Sequence, residues 1–225
     1  MNNFIDVFLY ISILSTLLPI LLYFFVKKRS KEIRVIFLLL VISFCADVTN
    51  EVYVQLGNKG AIILNIYFLL EFLLLTYYFS LLLIVLKKLI LLLGVGFLVL
   101  FILTSIFWQD IHTYQNIIRI IGSVLFVTYS VLFFRYFLKT LPVESPWLYP
   151  HFLIVAGIGF YFFQGFCSFT LSRYVFTHLP KEYGLHIWLL HGITEIIKHL
   201  FFARGIYLSD HSQNIAIAKN HARNV

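Results

Sequence analysis

Charged residues are scarce in this chain: 12% of its 225 residues are Asp, Glu, Lys or Arg, whereas 61% are hydrophobic and Phe alone occurs 25 times. A water-soluble domain of this length needs more charged surface to stay in solution. The composition therefore excludes an ordinary soluble fold and predicts an exterior that faces lipid. The net charge of +7 does not indicate a nucleic-acid partner, because most basic residues lie in short loops between apolar runs, which is typical of membrane topology.

Cysteine is scarce as well. The two cysteines, Cys45 and Cys167, both lie within apolar segments, which argues against a disulfide framework, and a zinc ribbon is excluded because ligand pairs are lacking. The first apolar run differs from a cleaved signal peptide, because no positive charge precedes it and a basic cluster follows it. We therefore expect this run to remain in the protein as a membrane span.

Apolar runs long enough to cross a membrane recur along the chain. A helix needs about 20 mostly apolar residues to cross a hydrocarbon core roughly 30 Å thick, and the alternation typical of barrel strands is missing. The sequence therefore predicts an all-α polytopic membrane bundle of seven transmembrane helices, the first kinked near its inner end by Pro19. The predicted spans are 4–26, 35–56, 61–86, 89–108, 115–138, 149–171 and 185–207, within a transmembrane domain 1–208 followed by a short polar tail 209–225.

The distribution of Lys and Arg predicts the orientation of these spans. Cytoplasmic loops of membrane proteins are enriched in Lys and Arg, and the loops on one side of this chain hold only Lys59, Arg173 and Lys181. We therefore expect the N-terminus outside and the C-terminus in the cytoplasm, in a bacterial cytoplasmic (inner) membrane. The basic residues assigned to the cytoplasmic side are Lys27, Lys28, Arg29, Lys31, Arg34, Lys87, Lys88, Arg135, Lys139, Arg204, Lys219 and Arg223.

Polar and ionisable residues also recur within the spans. Each ionisable group there costs ~2.5–3.5 kcal/mol on insertion scales and normally faces the bundle interior. Helical spacing aligns these residues on one face of their helix, so we expect the spans to share a polar interior. The stripes are Ser43, Asp47, Asn50 and Glu51 in span two; Asn116, Arg119, Ser123 and Ser130 in span five; Gln164, Cys167 and Ser168 in span six; and His191, Thr194, Glu195, Lys198 and His199 in span seven.

Odd-numbered spans run inward and even-numbered spans run outward, so the position of a residue along its span gives its depth in the membrane. By this measure most of these residues lie in the outer half. The sequence therefore predicts an intramembrane polar pocket that opens outward. Its predicted lining is Asp47, Asn50, Glu51, Glu71, Arg119, Gln164, His191 and Glu195. Buried charges also collect in structural networks, so pairing of Arg119 with Asp47 or Glu51, and of Glu195 with Lys198, remains an alternative without any ligand.

The favoured hypothesis for such a pocket is small-ligand binding or sensing. In it, Arg119 and His191 would hold an anionic group, and the signal would pass to a separate cytoplasmic or membrane partner. A further hypothesis is a proton-coupled transporter, in which carboxylates form a relay from the outer half to the midplane. The carboxylates of that relay are Asp47, Glu51, Glu71 and Glu195.

The runner-up to ligand binding is a membrane-embedded, metal-dependent hydrolase acting on lipid. The candidate metal ligands are His191, Glu195 and Asp47. His191 and His199 cannot share one ion, because eight residues of helix separate them by ~12 Å along the axis. Whether the protein is an enzyme stays open, and the sequence identifies no cofactor.

Overall fold

The computed structural model describes residues 2–27, 29–108, 111, 113, 115–140, 145–178 and 180–223, and it is built from seven helices over these ranges. Helix accounts for 90% of the structure, without any strand in the described part, which confirms the predicted all-α class. Helix α1 consists of two consecutive segments, Asn2–Ser15 and Leu17–Phe25. The others are α2 Lys31–Gln55, α3 Ala61–Leu82, α4 Lys87–Phe107, α5 Asn116–Thr140, α6 Pro150–His178 and α7 Lys181–Arg223.

The helices α2 to α6 are long and apolar enough to cross a membrane, and the stretch Tyr10–Phe25 of α1 is a shorter apolar helix. The surface is apolar: Leu92, Val95 and Ile106 of α4 are 68%, 60% and 67% exposed. Charged side chains lie inside instead, as Glu71 and Lys198 are 3% and 4% exposed. Apolar exteriors around polar interiors are characteristic of helices in lipid, and the chain is therefore an integral membrane protein.

Consecutive helices pack on one another in a ring, and α7 closes the ring against both segments of α1. Consecutive helices run in opposite directions, so the first and last helices are parallel where the ring closes. Tyr10 of α1 meets Glu51 of α2 at one end of the bundle, and Lys27 after α1 meets Asp210 of α7 at the other. The end that contains Tyr10 and the α2–α3 turn is called the N-terminal end. The opposite end, where Lys27, Lys31, Lys87 and Lys139 are exposed, is called the basic end.

Proline interrupts α1 in its middle. Pro19 has no N–H to donate to the carbonyl of Ser15, and the helix is broken at Thr16, whose N–H donates to the carbonyl of Ile13 at 3.2 Å instead. The interruption expected from Pro19 is therefore present. It lies at mid-helix, further from the basic end than the sequence predicted.

The helix connections at α3 are short and defined. Gly57 takes a φ of 81° after α2, a left-handed conformation that suits glycine at the end of a helix. At its other end α3 stops at Leu82, because the chain leaves the helical conformation at Leu83 (φ −103°, ψ 64°). One 3-10 turn, Ile84–Leu86, then leads directly into α4, so the predicted third span, 61–86, ends four residues too late.

The interior has an aromatic part and a polar part. Between α3, α4, α5 and α6, the ring of Phe72 stacks on Phe97 with centroids 3.6 Å apart and contacts Phe126, which packs on Phe162. The polar part lies between α1, α2, α3, α6 and α7. Two of the helices that carry the polar side chains, α6 and α7, pack extensively on one another.

Gly205 allows α6 and α7 to approach closely. A Cβ atom at this position would lie 2.9 Å from the carbonyl oxygen of Pro150 and 2.6 Å from Cγ1 of Ile154. A backbone oxygen cannot move aside as a flexible side chain does. Small residues at crossings are the usual means by which membrane helices pack.

We predict that Gly205→Ala destabilises the protein by about 1–3 kcal/mol, the usual cost of overpacking. Gly96→Ala is the matched control, because a Cβ there would have no atom within 4 Å. Thermal unfolding in detergent measures both. Equal melting temperatures for the two variants would contradict the close contact between α6 and α7.

Candidate functional site

Four charged side chains meet in the polar part of the interior, and they are called the charged cluster: Asp47 of α2, Glu71 of α3, and Glu195 and Lys198 of α7. Nζ of Lys198 lies 4.0 Å from Oε1 of Glu71 and 3.8 Å from Oε1 of Glu195. Asp47 interacts electrostatically with all three of the others. The pair Glu195–Lys198, which the sequence analysis named at i, i+3, is confirmed.

Glu71 is fixed by neighbours on its own helix and on α2. The hydroxyl of Tyr67, one turn earlier in α3, donates to Oε1 of Glu71 at 3.2 Å. The same hydroxyl lies 3.0 Å from Oγ of Ser43 in α2. All three residues are buried, so the carboxylate of Glu71 is held between a phenol and an ammonium group.

The interrupted helix α1 adds hydroxyl groups to this cluster. Oγ of Ser12 donates to Oε2 of Glu195 at 3.0 Å. Oγ of Ser15 lies 2.7 Å from Nδ1 of His199, and Oγ1 of Thr16 lies 3.4 Å from the same nitrogen. Because Thr16 is the point at which α1 breaks, the break caused by Pro19 and the contact with α7 occur at one level of the bundle.

Aromatic and amide groups of α6 border the cluster. Nζ of Lys198 lies 3.9 Å from the ring centroid of Tyr161, within the range of a cation–π interaction. The hydroxyl of Tyr161 lies 3.2 Å from Nε2 of His191, and Oε1 of Gln164 lies 3.2 Å from Nδ1 of His191. Gln164 also accepts a hydrogen bond from Thr194. His191 and Gln164 thus form a second polar group, joined to the charged cluster through Tyr161.

Asp47 differs from the other members of the charged cluster. Its side chain is half-buried, and its Oδ2 has no hydrogen-bond partner in the described part of the structure. Glu71 and Glu195 each have a hydrogen bond and the ammonium group of Lys198. Three carboxyl groups therefore surround one ammonium group, and Asp47 is the carboxyl group that remains available.

Arg119 interacts electrostatically with Glu71 of the charged cluster, but its described direct contacts are with other groups. Its Nη2 donates to the carbonyl oxygen of Leu64 at 2.8 Å, and its guanidinium carbon lies 4.8 Å and 5.7 Å from the ring centroids of Phe68 and Phe169. These contacts join α5 to α3 and α6. The ion pair with Asp47 or Glu51 proposed from the sequence does not occur among the described residues, where the ion pairs are those of Lys198.

Two of the predicted pocket residues lie near the N-terminal end of the bundle. Glu51 accepts hydrogen bonds from the hydroxyl of Tyr10 at 3.3 Å and from Nε2 of Gln55 at 2.9 Å. Asn50 packs against Gly60 in the α2–α3 turn. Of the eight residues predicted from the sequence, Asp47, Glu71 and Glu195 thus come together, Gln164 and His191 adjoin them, and Arg119, Asn50 and Glu51 make separate contacts.

The candidate metal ligands are not arranged as a metal site. Within the described ranges, no three His, Cys, Asp or Glu side chains lie close enough together to hold a metal ion. Both ring nitrogens of His191 contact side chains of α6. Of the predicted ligands, Glu195 and Asp47 belong to the charged cluster, where the ammonium group of Lys198 is the cation beside them.

The contribution of α1 to the charged cluster was not predicted from the sequence. Ser12, Ser15 and Thr16 follow the spacing i, i+3, i+4, which places them on one face of a helix. This is the signal that identified the stripes of the other spans. Serine and threonine carry no charge, however, and hydroxyl groups in membrane helices commonly bond to their own backbone, as Ser15 also does to the carbonyl of Ser12.

We predict that Lys198→Met destabilises the protein by ~3–5 kcal/mol, because the removal of one partner leaves buried charges uncompensated. The double variant Glu71→Gln/Lys198→Met should recover part of this loss. Arg204→Gln, which removes a positive charge from an exposed position of α7, is the control. Thermal unfolding in detergent distinguishes them, and a Lys198→Met variant as stable as the control would contradict the pairing.

No protein-family model, curated protein or solved structure matches this chain. A helical bundle alone does not identify a function, since one fold can carry many unrelated activities. The functional conclusion therefore rests on the chemistry of the charged cluster and the residues around it.

Proposed function

We propose that the chain crosses a bacterial cytoplasmic membrane seven times, with the N-terminal end of the bundle outside and the basic end in the cytoplasm. The alternating direction of the helices and the concentration of exposed Lys and Arg at one end support this orientation. The charged cluster then lies near the middle of the membrane. Asp47 lies on its outer side.

The proposed orientation predicts opposite results for reporters at the two ends. A fluorescent protein fused after Val225 should fold and fluoresce, because it remains in the cytoplasm. Alkaline phosphatase inserted after Asn58, in the α2–α3 turn, should be active, because it requires export. Activity of the phosphatase at the C-terminus together with inactivity at Asn58 would contradict the orientation.

We propose that the protein binds a small cationic ligand, such as an amine, at the charged cluster and acts as a sensor or receptor. The observation that carries this proposal is Oδ2 of Asp47, a buried oxygen without a hydrogen-bond partner among the described residues, on a half-buried side chain beside a cluster in which carboxyl groups outnumber ammonium groups. A buried charge is costly unless it is paired. A ligand that brings a positive charge supplies what the cluster lacks.

The contacts of Arg119 and His191 support a cation over the anionic ligand considered from the sequence. The guanidinium group of Arg119 is bound to the carbonyl of Leu64 and lies against two phenyl rings. His191 is held by Tyr161 and Gln164. An anion would have to displace these contacts, whereas a cation near Asp47 would meet an available oxygen and the phenol groups of the polar interior.

We propose that the basic end contacts the signalling partner. Exposed cationic side chains there include Lys27 and Arg29 between α1 and α2, and Lys31 and Arg34 in the first turn of α2. The second segment of α1 and α7 meet beside this loop, where the backbone N–H of Lys27 donates to Asp210. Because α1 and α7 also carry Ser12, Glu195 and Lys198, a change in the cluster reaches this end through two helices in contact.

Proton-coupled transport is the second candidate, and one observation favours it. Tyr67, Glu71, Lys198, Glu195 and Ser12 form a continuous series of contacts between 3.0 and 4.0 Å long, and such a series can relay protons. The metal-dependent hydrolase has no comparable support, because the described residues do not include a metal-binding group.

Asp47→Asn should abolish binding of amines without weakening the fold. We expect ethylamine, putrescine or choline, but not acetate or succinate, to raise the melting temperature of the wild-type protein. A ligand at 100 times its Kd adds about 2.7 kcal/mol to the free energy of unfolding. The empty Asp47→Asn variant should be as stable as the wild type or more stable, because an unpaired charge is removed.

Glu51→Gln is the matched control for this experiment, because it removes a carboxylate one turn away that already has two hydrogen-bond partners. It should retain the response to amines. Stabilisation by amines that persists in Asp47→Asn would contradict the site. A lack of any response, together with proton uptake into liposomes that Glu71→Gln abolishes, would favour the transporter instead.

A further inference from the structure

A second feature, separate from the charged cluster, is an apolar groove at the basic end of the bundle. It lies between the end of α3 with its following 3-10 turn and the last turns of α5, and it has a volume of about 300 Å³. This is the lower end of the range for small-ligand sites. It is lined by Leu82, Leu83, Ile84, Val85, Leu86, Leu132, Arg135, Tyr136 and Lys139.

The connection from α3 to α4 creates one wall of this groove. The chain leaves the helix at Leu83, and the 3-10 turn carries Ile84 and Val85 outward, where they are 76% and 88% exposed. Adjacent aliphatic side chains with this exposure are costly in water. They suit a surface that acyl chains cover.

The other wall carries positive charge. Arg135 and Lys139 are four residues apart in α5 and therefore lie on one face, and both are exposed. Neither has an ion-pair partner within the described ranges. Lys87 and Lys88, also exposed, follow directly after Leu86. No acidic residue appears in the described lining of the groove.

We infer that this groove binds an anionic phospholipid. Arg135 and Lys139 would hold the phosphate group, and Ile84, Val85 and Leu132 would contact an acyl chain. A groove of about 300 Å³ fits part of a lipid chain but not a partner helix, whose diameter is about 10–12 Å. Basic pockets between transmembrane helices near the cytoplasmic surface are a known means of binding anionic headgroups, and long basic side chains reach that level readily.

Native mass spectrometry of the full chain tests the inference. The protein is purified in detergent and mixed with equal amounts of dioleoyl phosphatidylglycerol and dioleoyl phosphatidylcholine. We expect the wild type to retain phosphatidylglycerol in preference to phosphatidylcholine. Arg135→Gln/Lys139→Gln should reduce that preference at least ten-fold. Both side chains are exposed, so folding should be unaffected.

Two further variants separate the groove from a general effect of surface charge. Lys27→Gln/Lys31→Gln removes two exposed charges from the same end of the bundle and should preserve the preference. Leu132→Trp fills the groove without any change of charge and should remove the preference.

Three results would overturn the site. The first is an equal loss of preference in both double variants, and the second is retention of phosphatidylglycerol by Arg135→Gln/Lys139→Gln. The third is a co-purifying protein, and not lipid, that Arg135→Gln/Lys139→Gln releases. None of these outcomes depends on Asp47 or on amine binding. A negative result for the lipid site therefore does not contradict the proposed binding of amines, which is tested separately.

Discussion

The position of Lys198 constrains the rest of the bundle. Its ammonium group lies within 4.0 Å of carboxylates on α3 and on its own helix and over the ring of Tyr161 on α6. A charge this deeply buried is tolerated only when opposite charges surround it. Glu71 of α3 must therefore face Lys198 across the interior of the ring. Gly157 of α6 allows close packing on α7 one turn beyond Lys198, since a Cβ there would lie 3.0 Å from Cβ of Phe201.

The same constraint links the stability of the molecule to the proposed binding of a cation. Each carboxylate that compensates Lys198 is itself held by a hydroxyl group, Tyr67 for Glu71 and Ser12 for Glu195. Asp47 has no such group at Oδ2. Sites of binding are often places where a protein keeps an interaction unsatisfied at some cost in stability. The arrangement is a structural network at its centre, with an available carboxylate at its edge.

Much of this fold could be predicted from the sequence, because length and hydropathy determine where helices lie in a membrane protein. The helices follow the predicted spans in number and order, but several ends differ. A backbone angle at Leu83 that hydropathy does not encode ends α3 early, and α6 and α7 continue to His178 and Arg223, past the predicted ends at 171 and 207. The site was predicted only in part. Helical spacing identified Asp47, Glu71 and Glu195, but it could not choose the partner of Arg119, because a carbonyl oxygen and two phenyl rings leave no pattern in the sequence.

The ring of helices closes only when α7 packs against α1, and this has a consequence for biosynthesis. Chains are made from the N-terminus, so Asp47 and Glu71 enter the membrane long before Lys198 is synthesised. During that interval, the two carboxyl groups must be neutralised by protons, by water or by an insertion factor. Arrival of the last helix then exchanges those temporary partners for Lys198. Completion of the cluster thereby distinguishes a finished chain from a nascent one, and membrane quality control could recognise that difference.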